Sequence, residues 1–327
     1  MKRLILILAV VLAVMVVFCS ASFTKDLVKV RLNMGHPPWF FYADYLAGIE
    51  QGYFAAEGIN LELVPSNGSS EAVMLVALGT DQFVSTAAAP IIIGKAKGMP
   101  LLVVASISNA GYSGGLFFPK KAGIKTPADL KGKKIAYVPK TADQPALLAF
   151  LRKQKLEGQV TLVSVPMDNQ LRVFLKGDVD AYAGLLSSEK SKLDKTEMKG
   201  KWECFLFKDY GVMLPAPVIA VNEKFAKQNP GIVRGFIRAA LKSFKYGMEN
   251  ETYAARILVQ TYPELDEGIE LGRLIQTHKF AQFSLVPGYS DVDQWNEIIK
   301  MFLDTGFIQK GFSASELVTN EFIPKEK

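Results

Sequence analysis

Cysteine and histidine are scarce in this sequence. Among 327 residues there are two of each: Cys19 and Cys204, His36 and His278. Two thiols give no disulfide scaffold and no four-ligand metal framework. So few imidazoles leave a zinc-type catalytic constellation unexpected. Charged residues make up 21% of the chain, slightly few, so this is no disordered or solvating polypeptide. No serine sits in a nucleophile-elbow pattern. Only one long apolar run occurs, at the amino terminus. The excess of six positive charges is scattered, which argues against nucleic acid as a partner. Its densest mid-chain cluster, KGKK at 131–134, fits a solvated turn before a strand, with a partner-contact patch as the alternative.

What is present points to a large buried interior. Hydrophobic residues are 49% of the chain, and its length suits two cores better than one. Lys2 and Arg3 precede a 15-residue apolar run at 4–18, followed by CSASF. That order is the pattern of a secretory signal peptide over 1–22, cleaved after Ala21 or Ser22. The run is shorter than the roughly 20 apolar residues that span a bilayer. Cys19 raises lipidation as an alternative, although Phe18 stands where a lipoprotein signal has a small residue. The rest of the chain is expected outside the cytoplasm.

Apolar runs and turn residues predict alternating strands and helices, hence an α/β fold. Strands are expected at 28–32, 61–64, 83–86 and 101–106, the last continuous enough for a parallel strand buried on both faces. Helices are expected at 41–51, 71–78 and 87–98. Stretch 107–112 (ISNAGY) reads as an outgoing hinge strand and 212–218 (VMLPAPV) as the returning one. Between them lie strands at 116–118, 134–138, 161–165 and 181–183. Helices fall at 141–155 and 169–176, with a capped turn at 126–130 (TPADL). After the return, helices are expected at 222–228, 231–248, 251–260 and 290–305, with Trp295 in the packing. LVALGTDQF (75–83) and VFLKGDVDAY (173–182) echo one another weakly, as two lobes of one design would. The limits expected are 23–108 plus 217–327 for the first lobe and 109–216 for the second.

The stretches GYFAAEGINLELVP, NGSSEAVMLVALGTDQFV, IKTPADLKGKKIA, VDAYAGLLSSE, APVIAVNEKFAKQNPGIVRGFIRA, YPELDEGI and TNEFIP are spread along the chain from residue 52 to residue 324. Through them it resembles the periplasmic solute-binding proteins of ABC importers. It is most similar to the branch that binds thiamine-pyrimidine precursors, which is related to the fungal pyrimidine synthase. The early motifs are shared with sulfonate, nitrate and riboflavin binders. The run from Ala216, and TNEFIP above all, is more particular to the pyrimidine branch. The resemblance implies a type II periplasmic-binding-protein-like fold with two lobes, each a mixed sheet flanked by helices, joined by two hinge crossings. It further implies a monomer, no cofactor, and ABC permease and ATPase subunits as partners. The membrane is then met only through the transporter or a lipid anchor.

The sequence departs from the branch at two ligand-side positions. The usual Asp-Trp pair on the first strand reads Asn33-Met34, with Trp39 the nearest aromatic to take that place. The Gly-rich start of the second lobe's first helix reads PKTADQP at 139–145. The fungal enzyme's cysteine-rich iron motif is absent. Within a two-lobed trap, Trp39, Tyr112 and Tyr182 are candidates to stack on a flat heterocycle. Asn33, Asn109 and Glu189 are candidates to read ring nitrogens or an exocyclic amine. Gly68, Ser69 and Ser70, at a helix start after a strand, suit a polar or anionic group, with a plain N-cap as the other reading. His36 and Tyr137 complete the set. Aminopyrimidines, flavins, and sulfonates or nitrate remain open as ligands. No enzyme is expected, although Ser69 with His36, or Asp180 with Glu189, are the pairs an enzyme would use.

Overall fold

The computed structural model of the chain describes residues 27–108, 113–139, 141–280 and 286–325. The expected signal peptide and Cys19 lie outside the described residues. Two five-stranded sheets organise the molecule, in the orders β2-β1-β3-β10-β4 and β7-β6-β8-β5-β9. The first sheet contains β1 (Val28–Asn33), β2 (Ile59–Val64), β3 (Phe83–Thr86), β4 (Leu101–Ser106) and β10 (Val218–Asn222). The second contains β5 (Gly114–Pro119), β6 (Lys134–Tyr137), β7 (Thr161–Ser164), β8 (Ala181–Leu185) and β9 (Trp202–Leu206).

The two orders are the same topology. In each sheet three strands are parallel, and the strand that follows a crossing enters antiparallel beside the third: β10 against β3, β5 against β8. The weak internal echo has a structural counterpart. Asp81, before β3, accepts from the side chains of Arg31 and Asn33 on β1 at 2.7 and 2.8 Å. Asp180, before β8, accepts from the Lys134 amide that opens β6 at 2.8 Å. In each lobe an aspartate thus ties the turn before the third strand to the first strand.

Helices cover both sheets. In the first lobe they are α1 (Ala43–Glu50), α2 (Tyr53–Ala56), α3 (Ser69–Ala77) and α4 (Ala88–Ala96). The second lobe has α5 (Asp143–Lys153), α6 (Met167–Lys176) and α7 (Leu186–Leu193). After β10 come α8 (Glu223–Gln228), α9 (Pro230–Glu249), α10 (Glu251–Thr261), α11 (Glu267–Phe280) and α12 (Val292–Asp304). Helix α9 shows why these segments are helical. Val233, Phe236, Ile237, Ala240 and Phe244 recur at three- and four-residue spacing and are all buried. Pro230 occupies its first turn, where a missing N–H costs nothing. It crosses α1 at close range: a Cβ on Gly48 would fall 2.5 Å from the Ser243 Cβ. In α12, Trp295, Ile298, Ile299 and Phe302 face the core, and the Asp291 side chain caps the start.

Three expectations need correction. Strand β4 does not lie among parallel strands; its ladder partner is β10, antiparallel, which inserts between β3 and β4 after the return. Its apolar run reflects burial on both faces, not strand direction. Residues 212–217 are not a regular strand, because Pro215 and Pro217 have no N–H to give a ladder. The crossings still lie side by side, with Ile107 N donating to Pro217 O at 3.0 Å and Ala216 N to Ser108 O at 3.1 Å. Finally, α7, β9 and α11 fall where no element was expected. Helix α11 has a strongly charged sequence, EGIELGRLIQTHKF, whose apolar stripe is too thin to announce a helix.

Candidate functional site

A cleft lies between the two sheets, at the carboxyl ends of β1 and β3, where open α/β folds bind ligands. The turn after β1 builds its first wall. Asn33 Oδ1 accepts from Gly35 N at 3.0 Å. Gly35 then turns with φ +70° under Ser69, where a side chain is strained and crowded: a Cβ would sit 3.3 Å from the Ser69 Cα. Tyr42 Oη donates to the His36 carbonyl at 2.8 Å, and Phe40 N donates to Glu270 Oε2 at 2.8 Å. These bonds pin the loop from Met34 to Phe40 and hold Trp39 among His36, Phe40 and Phe41, with ring centroids 5.0 to 5.4 Å away. The Arg273 guanidinium stands 5.8 Å from the Trp39 ring and pairs with Glu270.

The cavity measures about 80 Å³. From the first lobe it is lined by Met34, His36, Trp39, Phe41, Ser69 and the end of β3 at Ser85 and Thr86. From the second come Thr141 and Asp143 at the start of α5, Met167 at the start of α6, Leu185 at the end of β8 and Ser187 at the start of α7. Ala216 and Pro217 of the returning chain form the back, and Thr277 of α11 reaches in from the side. The wall is mostly apolar. Among the described lining residues none is lysine or arginine. His36 adds no positive charge near neutrality, because burial pushes its imidazole down to about 4. Its Nε2 lies 3.4 Å from Ser69 Oγ, so a neutral imidazole faces a hydroxyl at the start of α3. The Trp39 Nε1 is buried without a hydrogen-bond partner among the described residues.

Of the residues singled out in the sequence, His36, Trp39 and Ser69 line the cavity. Gly68 adjoins Ser69 as the residue before α3, where no side chain caps the helix, which corrects the plain N-cap reading. Ser70 is exposed on α3. Asn109 and Tyr112 lie outside the described residues. Four candidates are placed elsewhere. The Asn33 carboxamide is spent on Asp81 and Gly35. Tyr137 packs half-buried against the core at the end of β6. Tyr182 is fully buried against Phe117 and Phe174, and its hydroxyl donates to Glu189 Oε2 at 2.9 Å. Glu189 is thereby satisfied from inside the second lobe, with Lys192 Nζ on its other oxygen at 2.8 Å. Asp180 lies apart from Glu189, on the Lys134 amide. Strand alternation explains this displacement: Tyr182 points to the side of β8 away from the cleft.

Sequence reasoning missed Met34, Thr141, Asp143, Ser187 and Thr277. Two of these carried a signal. Thr141 and Asp143 lie within PKTADQP, the stretch that departs from the familiar glycine-rich start. Thr277 belongs to a helix that was not anticipated.

Two lobes of equal topology around a central cleft define the periplasmic-binding-protein class. A solved structure of that class, the periplasmic aliphatic sulphonate binding protein SsuA from Escherichia coli, matches with a TM-score of 0.73 at 14% identity, over 92% of this chain and 94% of that one. The NMT1/THI5-like family pattern matches residues 39–254, and the chain belongs to that family. Similar relatives include a formylaminopyrimidine-binding protein of Halalkalibacterium halodurans, 24% identical over 86% of both chains. Another is the riboflavin-binding protein RibY of Chloroflexus aurantiacus, 24% identical over 99% of both. A third is a 4-amino-5-hydroxymethyl-2-methylpyrimidine phosphate synthase of Legionella pneumophila, 23% identical over 93% of this chain and 95% of the relative. The last overturns the expectation that this chain is no enzyme, because the family holds proteins named as synthases beside those named as binders.

Proposed function

We propose that the chain is an extracytoplasmic solute-binding protein that captures a small flat heterocycle, an aminopyrimidine of the thiamine-precursor type, and delivers it to an ABC importer. The moving parts are lobes of 23–108 plus 217–327 and 109–216. One observation carries the reading. The cleft is narrow and mostly apolar, with Trp39 on its wall and no lysine or arginine among its described lining residues. A sulfonate or nitrate would find little to balance its charge there, whereas an aromatic ring gains contact with Trp39. Ser69, Ser187 and Thr141 supply hydroxyls for an exocyclic amine. The relative named for formylaminopyrimidine supports this ligand class.

A flavin is the second reading, favoured by the end-to-end match to the riboflavin-binding relative. The small cavity favours the smaller ring. A thermal-shift screen on refolded, ligand-stripped protein decides among formylaminopyrimidine, riboflavin and alkylsulfonates. A guest at one hundred times its dissociation constant raises stability by about 2.7 kcal/mol. A response to alkylsulfonates with none to pyrimidines would overturn the proposal.

A further inference from the structure

Helix α11 belongs to the first lobe. His278 bonds Asp44 on α1 at 3.2 Å and Glu251 on α10 at 3.0 Å, Leu274 sits in the first lobe's core, and Glu270 holds the Phe40 amide at 2.8 Å. Helix α7 belongs to the second lobe, through Leu193 in its core and the Tyr182–Glu189 bond of 2.9 Å. Yet these two helices meet. Lys195 Nζ, just past α7, pairs with Asp266, just before α11, at 2.9 Å. One turn further in, Gly272 lies against Ser191, so closely that a Cβ there would fall 2.8 Å from Ser191 Oγ and 3.6 Å from its Cβ. The pairings rise along one helix as they fall along the other, so the helices run antiparallel. Their inner ends carry Ser187 and Thr277, both lining the cleft.

We propose that α7 and α11 form a clasp that holds the two lobes shut, and that this contact, outside the ligand-lining residues, sets the balance between the open and closed forms. The absence of a side chain at Gly272 lets the helices approach. The Lys195–Asp266 pair is exposed and contributes little energy by itself; its part is to fix register. Helix α11 also carries Arg273 on the Trp39 ring and Thr277 in the cleft, so a guest that orders Trp39 orders the clasp. A ligand shifts such a balance only by binding the closed form better. The clasp rests on the solute-binding reading for its purpose, and its test is arranged to stand apart from it.

The Ser191 Cβ and the position a Cβ would take on residue 272 are 3.6 Å apart, inside the range of about 3.5–4.5 Å that a disulfide needs. The full-length double variant Ser191→Cys, Gly272→Cys is therefore expected to oxidise in the folded state. Association of formylaminopyrimidine, followed by stopped-flow tryptophan fluorescence, should slow at least tenfold in the oxidised form and recover on adding dithiothreitol. Neither single variant should show a rate that changes on adding dithiothreitol. Equal rates in the oxidised and reduced forms, or failure of the folded pair to oxidise, would overturn the clasp. If the parent protein shows no response to formylaminopyrimidine, the pyrimidine reading fails and small-angle scattering judges the clasp alone. An oxidised form more compact than the reduced one supports it, and equal radii of gyration overturn it. Gly272→Leu is a second probe: the added side chain should wedge the helices apart and enlarge the ligand-free protein, and an unchanged radius counts against the clasp.

Discussion

The charge state of His36 is the most exposed consequence of this site. The ring is half-buried at the cleft wall, beside Trp39 and Ser69. Losing its water pushes its pKa from the ordinary 6.5 to about 4. Among the described residues no carboxylate offsets that loss. A drop of that size, at about 1.36 kcal/mol per pH unit, corresponds to roughly 3 kcal/mol between the neutral and charged ring. The sign follows from linkage. A group whose pKa is lower in the compact state stabilises that state fully above its hydrated value of 6.5, and the contribution drains away as pH falls toward 4. Acid should therefore loosen the cleft before it touches the rest of the fold. The chain has two histidines, so their imidazole carbon-bound protons are separable by NMR, with His36→Asn assigning the pair. The His36 midpoint should lie near 4. His278 should titrate above its ordinary value: burial lowers it, but Asp44 and then Glu251 outweigh burial. A His36 midpoint at or above 6.5 would refute the claim that the ring is desolvated in the cleft.

Three further outcomes are expected. Trp39→Ala removes the aromatic wall, so heterocycle affinity measured by calorimetry should fall at least tenfold, about 1.4 kcal/mol; unchanged affinity would take Trp39 out of the site. Tyr182→Phe deletes the hydroxyl that donates to buried Glu189. It should cost about 1.5–3 kcal/mol of unfolding free energy by denaturant titration while leaving ligand affinity within twofold, and a loss of affinity would return Tyr182 to the cleft. Gly48→Ala drives a Cβ to 2.5 Å from the Ser243 Cβ. Overpacking of the α1–α9 crossing should lower stability by about 1–3 kcal/mol, read as a fall in melting temperature with the fold retained by circular dichroism.

Most strands were legible because each is a short apolar run between turn residues, and local pattern suffices for that. Direction was not legible. The 101–106 run looks the same whether its neighbour is parallel or antiparallel, and the neighbour arrives more than a hundred residues later. The site divides along the same line. His36, Trp39 and Ser69 reach the cavity because they lie next to strand ends and helix starts, where position alone exposes a side chain to the cleft. Tyr182 and Glu189 were misplaced because residue type was weighed above face. A tyrosine and a carboxylate near a strand end look like ligand contacts until the register of β8 turns them inward to one another.

What stayed hidden longest is α11. Among its described residues the buried ones are Glu270, Leu274 and His278, spaced four apart, with the leucine alone apolar. A stripe whose buried positions are ionisable gives no hydrophobic periodicity, because its burial depends on partners distant in sequence: the Phe40 amide for Glu270, and Asp44 and Glu251 for His278. Those partners lie on the first lobe, while the neighbouring face of the same helix meets Ser191 on the second. A helix held by polar bonds on one side and by a glycine contact on the other is the kind of element that can detach from one lobe without exposing a hydrophobic face. Its illegibility in the sequence and its suitability as a clasp have the same physical origin.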